Sequence, residues 1–267
     1  MNGCVDLGGY ALNTEIDGPE NAPWMILSNS LGATLAMWQP QMDLLTARYR
    51  VLRYDTRGHG QSDTPGDDWS FKELTRDVIS LMDHYDIATA DFMGLSMGGM
   101  TGLGLALDHS DRIGSVICAD ARADAPDPFR AMWDERIANV AANGLHGIVD
   151  GTLASWFTPD WLHDNPTLAG EVREMVLGNA PQGYIECCKA LKTLDYLQHL
   201  RQITCPVLYI GGDQDKGAAP AVMGDMASKT AHGRYVSIPN AAHVSNINQP
   251  DAFNAAISAF LDTKGEM

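Results

Sequence analysis

Short apolar runs alternate with amphipathic stretches along most of the chain, the pattern of a mainly parallel sheet wrapped by helices. Trp24-Met25-Ile26-Leu27 and Val51-Leu52-Arg53-Tyr54 read as early strands, and Phe92-Met93 leads into a glycine-rich turn. Ser115-Val116-Ile117-Cys118, Val207-Leu208-Tyr209-Ile210 and Tyr235-Val236-Ser237-Ile238 continue the series. Polar or glycine-bearing residues follow each run, so chemistry should gather beyond the strands' carboxyl ends. Between strands, Ser70 and Glu73 have the spacing of a capping box, after which Leu74, Val78, Leu81 and Met82 repeat at helical intervals. A helix is also expected around Met37 to Leu45. Asp251 through Leu261 carries Phe253, Ile257 and Phe260 on one face and predicts a helix that closes the sheet.

From about Pro126 to Leu197 the strand pattern stops. Helical stretches broken at Gly144, Pro159, Pro166 and Pro181 replace it, with Trp133, Trp156, Phe157 and Trp161 interspersed. The expected organisation is a core of residues 1–125 and 198–267 interrupted by a helical cap over 126–197. At 267 residues, 45% of them hydrophobic, the chain can bury one large core.

Five cysteines, Cys4, Cys118, Cys187, Cys188 and Cys205, form no C-x-x-C pattern, which argues against a disulfide framework or a zinc site. The segment Met1 to Tyr10 lacks a basic region followed by an apolar run, and no stretch of eighteen apolar residues occurs, so a soluble, cytoplasmic protein is expected. With 34 acidic and 18 basic side chains, a net charge of −16, neither nucleic acid nor an anionic membrane suits as a partner.

The turn after Phe92-Met93 is Gly94-Leu95-Ser96-Met97-Gly98, extended by Gly99, and has the G-x-S-x-G form of a nucleophile elbow. A serine at the tip of a strand-to-helix turn sits in a strained backbone, and side chains at the flanking glycines would collide with strand or helix. Gly102, Gly104 and Ala106 then allow a helix to pack closely on a sheet. A serine hydroxyl is a weak nucleophile near neutral pH, so the elbow calls for a histidine base and an orienting carboxylate, in the order Ser, acid, His. His243 follows the final predicted strand, and His59 is its rival among the eight histidines. Asp215 and Asp213 both follow the strand ending at Gly212. Asp215, three residues beyond that end and before a helix starting at Pro220, is preferred, leaving Asp213 to stabilise the loop. The oxyanion donors expected are the backbone N–H of Met97 and, from Ser28-Asn29-Ser30-Leu31-Gly32, that of Leu31.

Taken with Trp38, the segment Arg53-Tyr54-Asp55-Thr56-Arg57-Gly58-His59-Gly60-Gln61-Ser62-Asp63, the elbow and the Asp215 and His243 segments, that loop makes the chain resemble the α/β-hydrolase superfamily. Within it the chain looks most like the 3-oxoadipate enol-lactonases, in which S-N-S-L-G replaces the common H-G oxyanion loop. The resemblance implies a mostly parallel central sheet flanked by helices with a helical cap. It also implies cofactor-free lactone hydrolysis, without a metal, in bacterial catabolism of protocatechuate and catechol. Ser96 would be the nucleophile, His243 the base, Asp215 the orienting acid, and Leu31 and Met97 the oxyanion donors. The family usually has glutamate five residues after the histidine; here that position is Asn248.

Such a small-molecule lactone or ester substrate carries a free carboxylate and calls for a cation. Arg122, just past Ser115 to Cys118, is the choice, with Arg130 and Arg136 as rivals and Trp133 as an apolar wall. Other carboxylic ester, acyl-homoserine lactone and carbon–carbon bond hydrolases share the same three residues and stay open, as does a hydrolase-like small-molecule receptor that binds a partner protein. Association into a homo-oligomer is left open.

Overall fold

The computed structural model describes residues 2–266; the end residues Met1 and Met267 of the expected core lie outside them. Eight strands form one sheet: β1 (Asn2–Asp6), β2 (Ala11–Asp17), β3 (Trp24–Ser28), β4 (Arg50–Tyr54), β5 (Ala90–Leu95), β6 (Ile113–Ala119), β7 (Val207–Gly212) and β8 (Gly233–Ile238). Their order is β1-β2-β4-β3-β5-β6-β7-β8, with β1 and β2 antiparallel to their neighbours and all later pairings parallel.

Parallel strands covered on both faces are apolar at successive positions, and the pleat sends alternate residues to opposite sides. Ile26, Phe92, Val116 and Tyr209 join one core cluster, while Met25, Leu27, Met93, Ile117 and Leu208 join the other. The first cluster is covered by α2 (Phe71–His84), α3 (Met97–Asp108) and α9 (Pro220–Lys229). The second is covered by α1 (Met42–Thr46) and α11 (Pro250–Thr263), whose Phe253, Ile257 and Phe260 face inward. The capping box at Ser70 is formed: Lys72 N–H donates to its hydroxyl and Glu73 accepts from its N–H.

Two expectations change. β1 and β2 precede the earliest strand expected from the apolar runs. Around Pro40, which lacks an N–H, the chain takes a 3-10 turn over Leu35–Gln41, and only Met42–Thr46 is α-helical.

Between β6 and β7 lie α4 (Asp127–Asn143), α5 (Val149–Trp156), α6 (Pro159–Asp164), α7 (Pro166–Leu177) and α8 (Pro181–Lys192). Pro159, Pro166 and Pro181 each open a helix, where a missing N–H costs no bond, and Gly144 ends α4 at φ 64°. Residues of α4, α5, α6 and α8 line one cavity at the carboxyl ends of the strands, where β3, β5, β6, β7 and β8 deliver their loops. No helix among the described residues is long and apolar enough to cross a membrane.

Candidate active site

Ser96 stands between β5 and α3 with φ 55° and ψ −115°, a left-handed conformation that a serine adopts only under constraint. The constraint is visible in its neighbours. A Cβ on Gly94 would lie 2.1 Å from the Gly98 carbonyl oxygen, and one on Gly98 would lie 2.1 Å from that of Ser28. Strand and helix therefore approach only because both positions are glycine. The Ser96 N–H donates to Ala119 O at 2.8 Å, anchoring the turn to β6.

His243 and Asp215 come from the loops after β8 and β7. Those loops are tied by the N–H of Asp213 donating to Ile238 O at 2.9 Å and that of Gln214 to Ala241 O at 2.9 Å. His243 Nδ1 lies 2.8 Å from Asp215 Oδ2, and its Nε2 lies 2.9 Å from Ser96 Oγ. A carboxylate only accepts, so Nδ1 carries the proton and Nε2 is left to accept from the serine. Asp215 Oδ1 also accepts the N–H groups of Gly217 at 2.7 Å and Ala218 at 3.1 Å. Burial raises the Asp215 pKa, but the His243 charge and these donors outweigh it and hold the carboxyl below 3.8. Burial opposes protonation of His243, yet the Asp215 charge and hydrogen bond, with a further contribution from Asp120, lift it above 6.5. Asp213 is exposed, and its carboxylate accepts the Ala241 N–H at a long 3.3 Å.

His59, the rival base, is wholly buried and does not line the cavity that holds Ser96. Its Nε2 accepts the Gly32 N–H at 2.9 Å and Nδ1 lies 3.1 Å from Arg57 O, which makes Nδ1 the protonated nitrogen. Burial keeps its pKa below 6.5. It supports the Ser28–Gly32 loop, as does Asn29, which donates to Tyr54 O at 2.8 Å and accepts the Trp38 indole N–H at 2.9 Å. The Gly98 N–H, one residue past Met97, is bound by Asn29 O at 3.1 Å. Leu31 and Met97 themselves flank these occupied positions, and Met97 begins a helix, whose first N–H groups have no helical partner. Leu31 lines the cavity beside Ser96.

The cavity has a volume of about 540 Å³, within the ordinary range for small ligands. Arg122, Trp133 and Arg136 all line it; Arg130 does not, being exposed and paired with Asp127. The Arg122 guanidinium is already matched by the Asp124 carboxylate at 2.8 Å and stacked on Phe129 at 4.5 Å. That pairing leaves the Arg122 charge matched within the protein. Arg136 instead bonds neutral groups, Tyr184 Oη at 2.8 Å and the Thr152 hydroxyl. The Trp133 ring packs edge-on to Phe129, and its indole N–H is buried without a partner among the described residues. Its ring is an apolar wall, but one with an idle donor.

Three functional-site residues escaped the sequence: Tyr184 on α8, Asn179 before it and Asp120. Asn179 donates to Gly32 O at 2.8 Å and accepts the Gly60 N–H at 2.8 Å, tying the region after α7 to both motif loops. Nothing in its local pattern marks it. Asp120 follows the end of β6, so the rule that chemistry gathers beyond strand ends points to it.

A family model described as the alpha/beta hydrolase fold matches residues 23–250. The chain belongs to the α/β-hydrolase family. It is 37% identical over 251 residues to 3-oxoadipate enol-lactonase 2 of Acinetobacter baylyi, covering 94% of this chain and 93% of that one. Enol-lactonase 1 of the same organism is 36% identical over 95% and 94%. The crystal structure of the enol-lactonase from Burkholderia xenovorans superposes with a TM-score of 0.94 at 39% identity, covering 97% of this chain and all of the other. As a member of this α/β-hydrolase family, with relatives of that kind along nearly its whole length, the chain is a hydrolase.

Proposed function

We propose that this α/β-hydrolase opens a small lactone bearing a free carboxylate, 3-oxoadipate enol-lactone foremost, through an acyl-enzyme on Ser96. The observation that carries the chemistry is the continuous line Ser96 Oγ, His243 Nε2, His243 Nδ1 and Asp215 Oδ2, with links of 2.9 and 2.8 Å. The substrate class is supported by the enol-lactonase relatives and by the Arg136 guanidinium in the same cavity.

In this mechanism Ser96 Oγ attacks the lactone carbonyl as its proton passes to His243 Nε2, and Asp215 stabilises the imidazolium. The N–H groups of Leu31 and Met97 receive the oxyanion, each contributing about 2–4 kcal/mol in the transition state. Collapse breaks the ring C–O bond, and His243 returns the proton to the departing enol oxygen, which stays tethered to the acyl group and tautomerises to the ketone. Water, deprotonated by His243, then cleaves the ester to Ser96. Arg136 holds the substrate carboxylate at the α4 end of the cavity, with the Trp133 ring as an apolar wall beside it. The helices over 126–197 act as the cap that supplies this pocket.

Ser96→Ala tests the proposal. Hydrolysis of enol-lactone and aryl ester should both fall by at least about 10⁴-fold, and a fluorophosphonate probe should no longer label the protein. Sustained turnover by the variant would remove Ser96 from the chemistry.

A further inference from the structure

The cavity holds a second, wholly buried carboxylate that the proposed reaction does not use, Asp120. It follows the last residue of β6 with φ 44°, and its N–H donates to Ile210 O at 2.8 Å, which fixes it against β7. Oδ1 accepts the Gly212 N–H at 2.9 Å. Oδ2 accepts the Ser245 N–H at 3.1 Å and its hydroxyl at 2.5 Å. Gly212 ends β7, three residues before Asp215, and Ser245 begins the short helix α10 (Ser245–Asn248), two residues after His243. One carboxylate thus bridges the roots of the two loops that bring acid and base together.

Those loops have no slack between them: a Cβ on Gly212 would meet the carbonyl oxygens of Ala242 and Ala241 at 2.2 and 2.3 Å. A left-handed aspartate whose three donors are all neutral is a costly way to hold them, since a buried charge is expensive without a countercharge. The countercharge available is the imidazolium of His243. The titratable and charged groups that act electrostatically on Asp120 are Cys118 on β6, Tyr235 on β8, Asp215 and His243, while Arg136 of α4 acts on His243 and opposes its protonation. Burial, then repulsion by Asp215, pushes the Asp120 pKa up to about 7, while His243 and the donors from Ser245 and Gly212 favour its ionised form.

We propose that Asp120 is a positioning residue for the hydrolytic site. It fixes the spacing of the Asp215 and His243 loops, and its charge favours the imidazolium formed when His243 takes the Ser96 proton. The proton moves from Ser96 Oγ to His243 Nε2 and returns from there; Asp120 exchanges none in the cycle. The inference rests on Ser96, His243 and Asp215 being the reacting residues.

The test compares Asp120→Asn and Ser245→Ala with the parent enzyme, measuring kcat, KM and the acidic limb of kcat/KM, with thermal denaturation confirming folding. Asp120→Asn removes the anion, so the limb should move to lower pH by about half a unit or more, with kcat down roughly tenfold and KM within about twofold. Ser245→Ala keeps the carboxylate with one donor fewer, making it harder to ionise; the limb should move the same way by less. If Asp120→Asn does not fold, Ser245→Ala decides alone. Limbs at the parental pH in the folded variants would overturn the inference. Ser96→Ala separates the two failures: an inactive Ser96→Ala beside unmoved limbs sinks only the role of Asp120, whereas an active Ser96→Ala sinks the catalytic assignment beneath it.

Discussion

At the scale of single residues, Asp213 and Asp215 share a loop, a charge and nearly a position, and their surroundings separate them. Asp215 is buried, accepts two backbone N–H groups and meets His243; Asp213 is exposed and accepts one weak N–H. Asp215→Asn should lower kcat by about 10³–10⁴-fold, because an amide there can favour the wrong imidazole tautomer, while Asp213→Asn stays within about threefold. Steady-state rates on an aryl ester rank the two, and a reversed ranking would move the acid role to Asp213. The same pair sets a stability window. Asp215, held below 3.8, contributes stability above that pH and loses it as pH falls; His243, held above 6.5, contributes below 6.5 and loses it as pH rises through its folded value. Both contributions are complete between those two values, so the loss of Tm in Asp215→Asn should be larger at pH 5.5 than at pH 8.5.

Among the elements, α5, α6 and the histidine loop meet at one side chain, Asn248. It accepts the N–H groups of Ala242 at 3.2 Å and Thr158 at 3.4 Å, and donates to Trp156 O at 3.0 Å and Val244 O at 2.9 Å. An amide can do both; a carboxylate cannot donate. Asn248→Asp should therefore leave two buried carbonyls facing an anion and cost about 2–4 kcal/mol. A fall of Tm by about 5–10 °C would register that loss, and an unchanged Tm would mean that the loop is held elsewhere. The sequence identified position 248 as a departure from its family, but not this partnership, because the partners lie up to 92 residues away. Parallel strands were legible for the opposite reason: buried on both faces, Trp24–Ser28 or Val207–Gly212 need no distant information to look apolar. Asn2–Asp6 and Ala11–Asp17 lie toward one edge of the sheet, and β1, with Asn2, Gly3 and Asp6 among its five residues, carries no apolar run to mark it. Ser96 was legible because steric necessity at Gly94 and Gly98 writes itself into adjacent residues. Arg136 was not distinguishable from Arg122 or Arg130, since whether a guanidinium is already paired depends on which carboxylates the helices bring to it.

For the molecule as a whole, the proposed reaction places chemistry and selection in different layers: the sheet's loops hold Ser96, Asp215 and His243, while α4 and α8 bring Arg136 and Tyr184 to the same cavity. The carboxylate substrate proposed above would approach a chain of net charge −16. Screening over roughly 8 Å at physiological salt cuts that field short, leaving the cations that line the cavity to decide binding. Of these, Arg122 is neutralised by Asp124, and Arg136 bonds an uncharged phenol and an uncharged hydroxyl. Arg136→Met keeps much of the side chain's length and removes the charge. For 3-oxoadipate enol-lactone its kcat/KM should fall about 100-fold, mainly through KM, as the loss of a charged hydrogen-bonding pair requires. A neutral aryl ester has no carboxylate to lose, so its kcat/KM should stay within about threefold. An equal loss on both substrates would mean that the guanidinium serves only to brace Tyr184 and Thr152, and the anion would have to be held by another group.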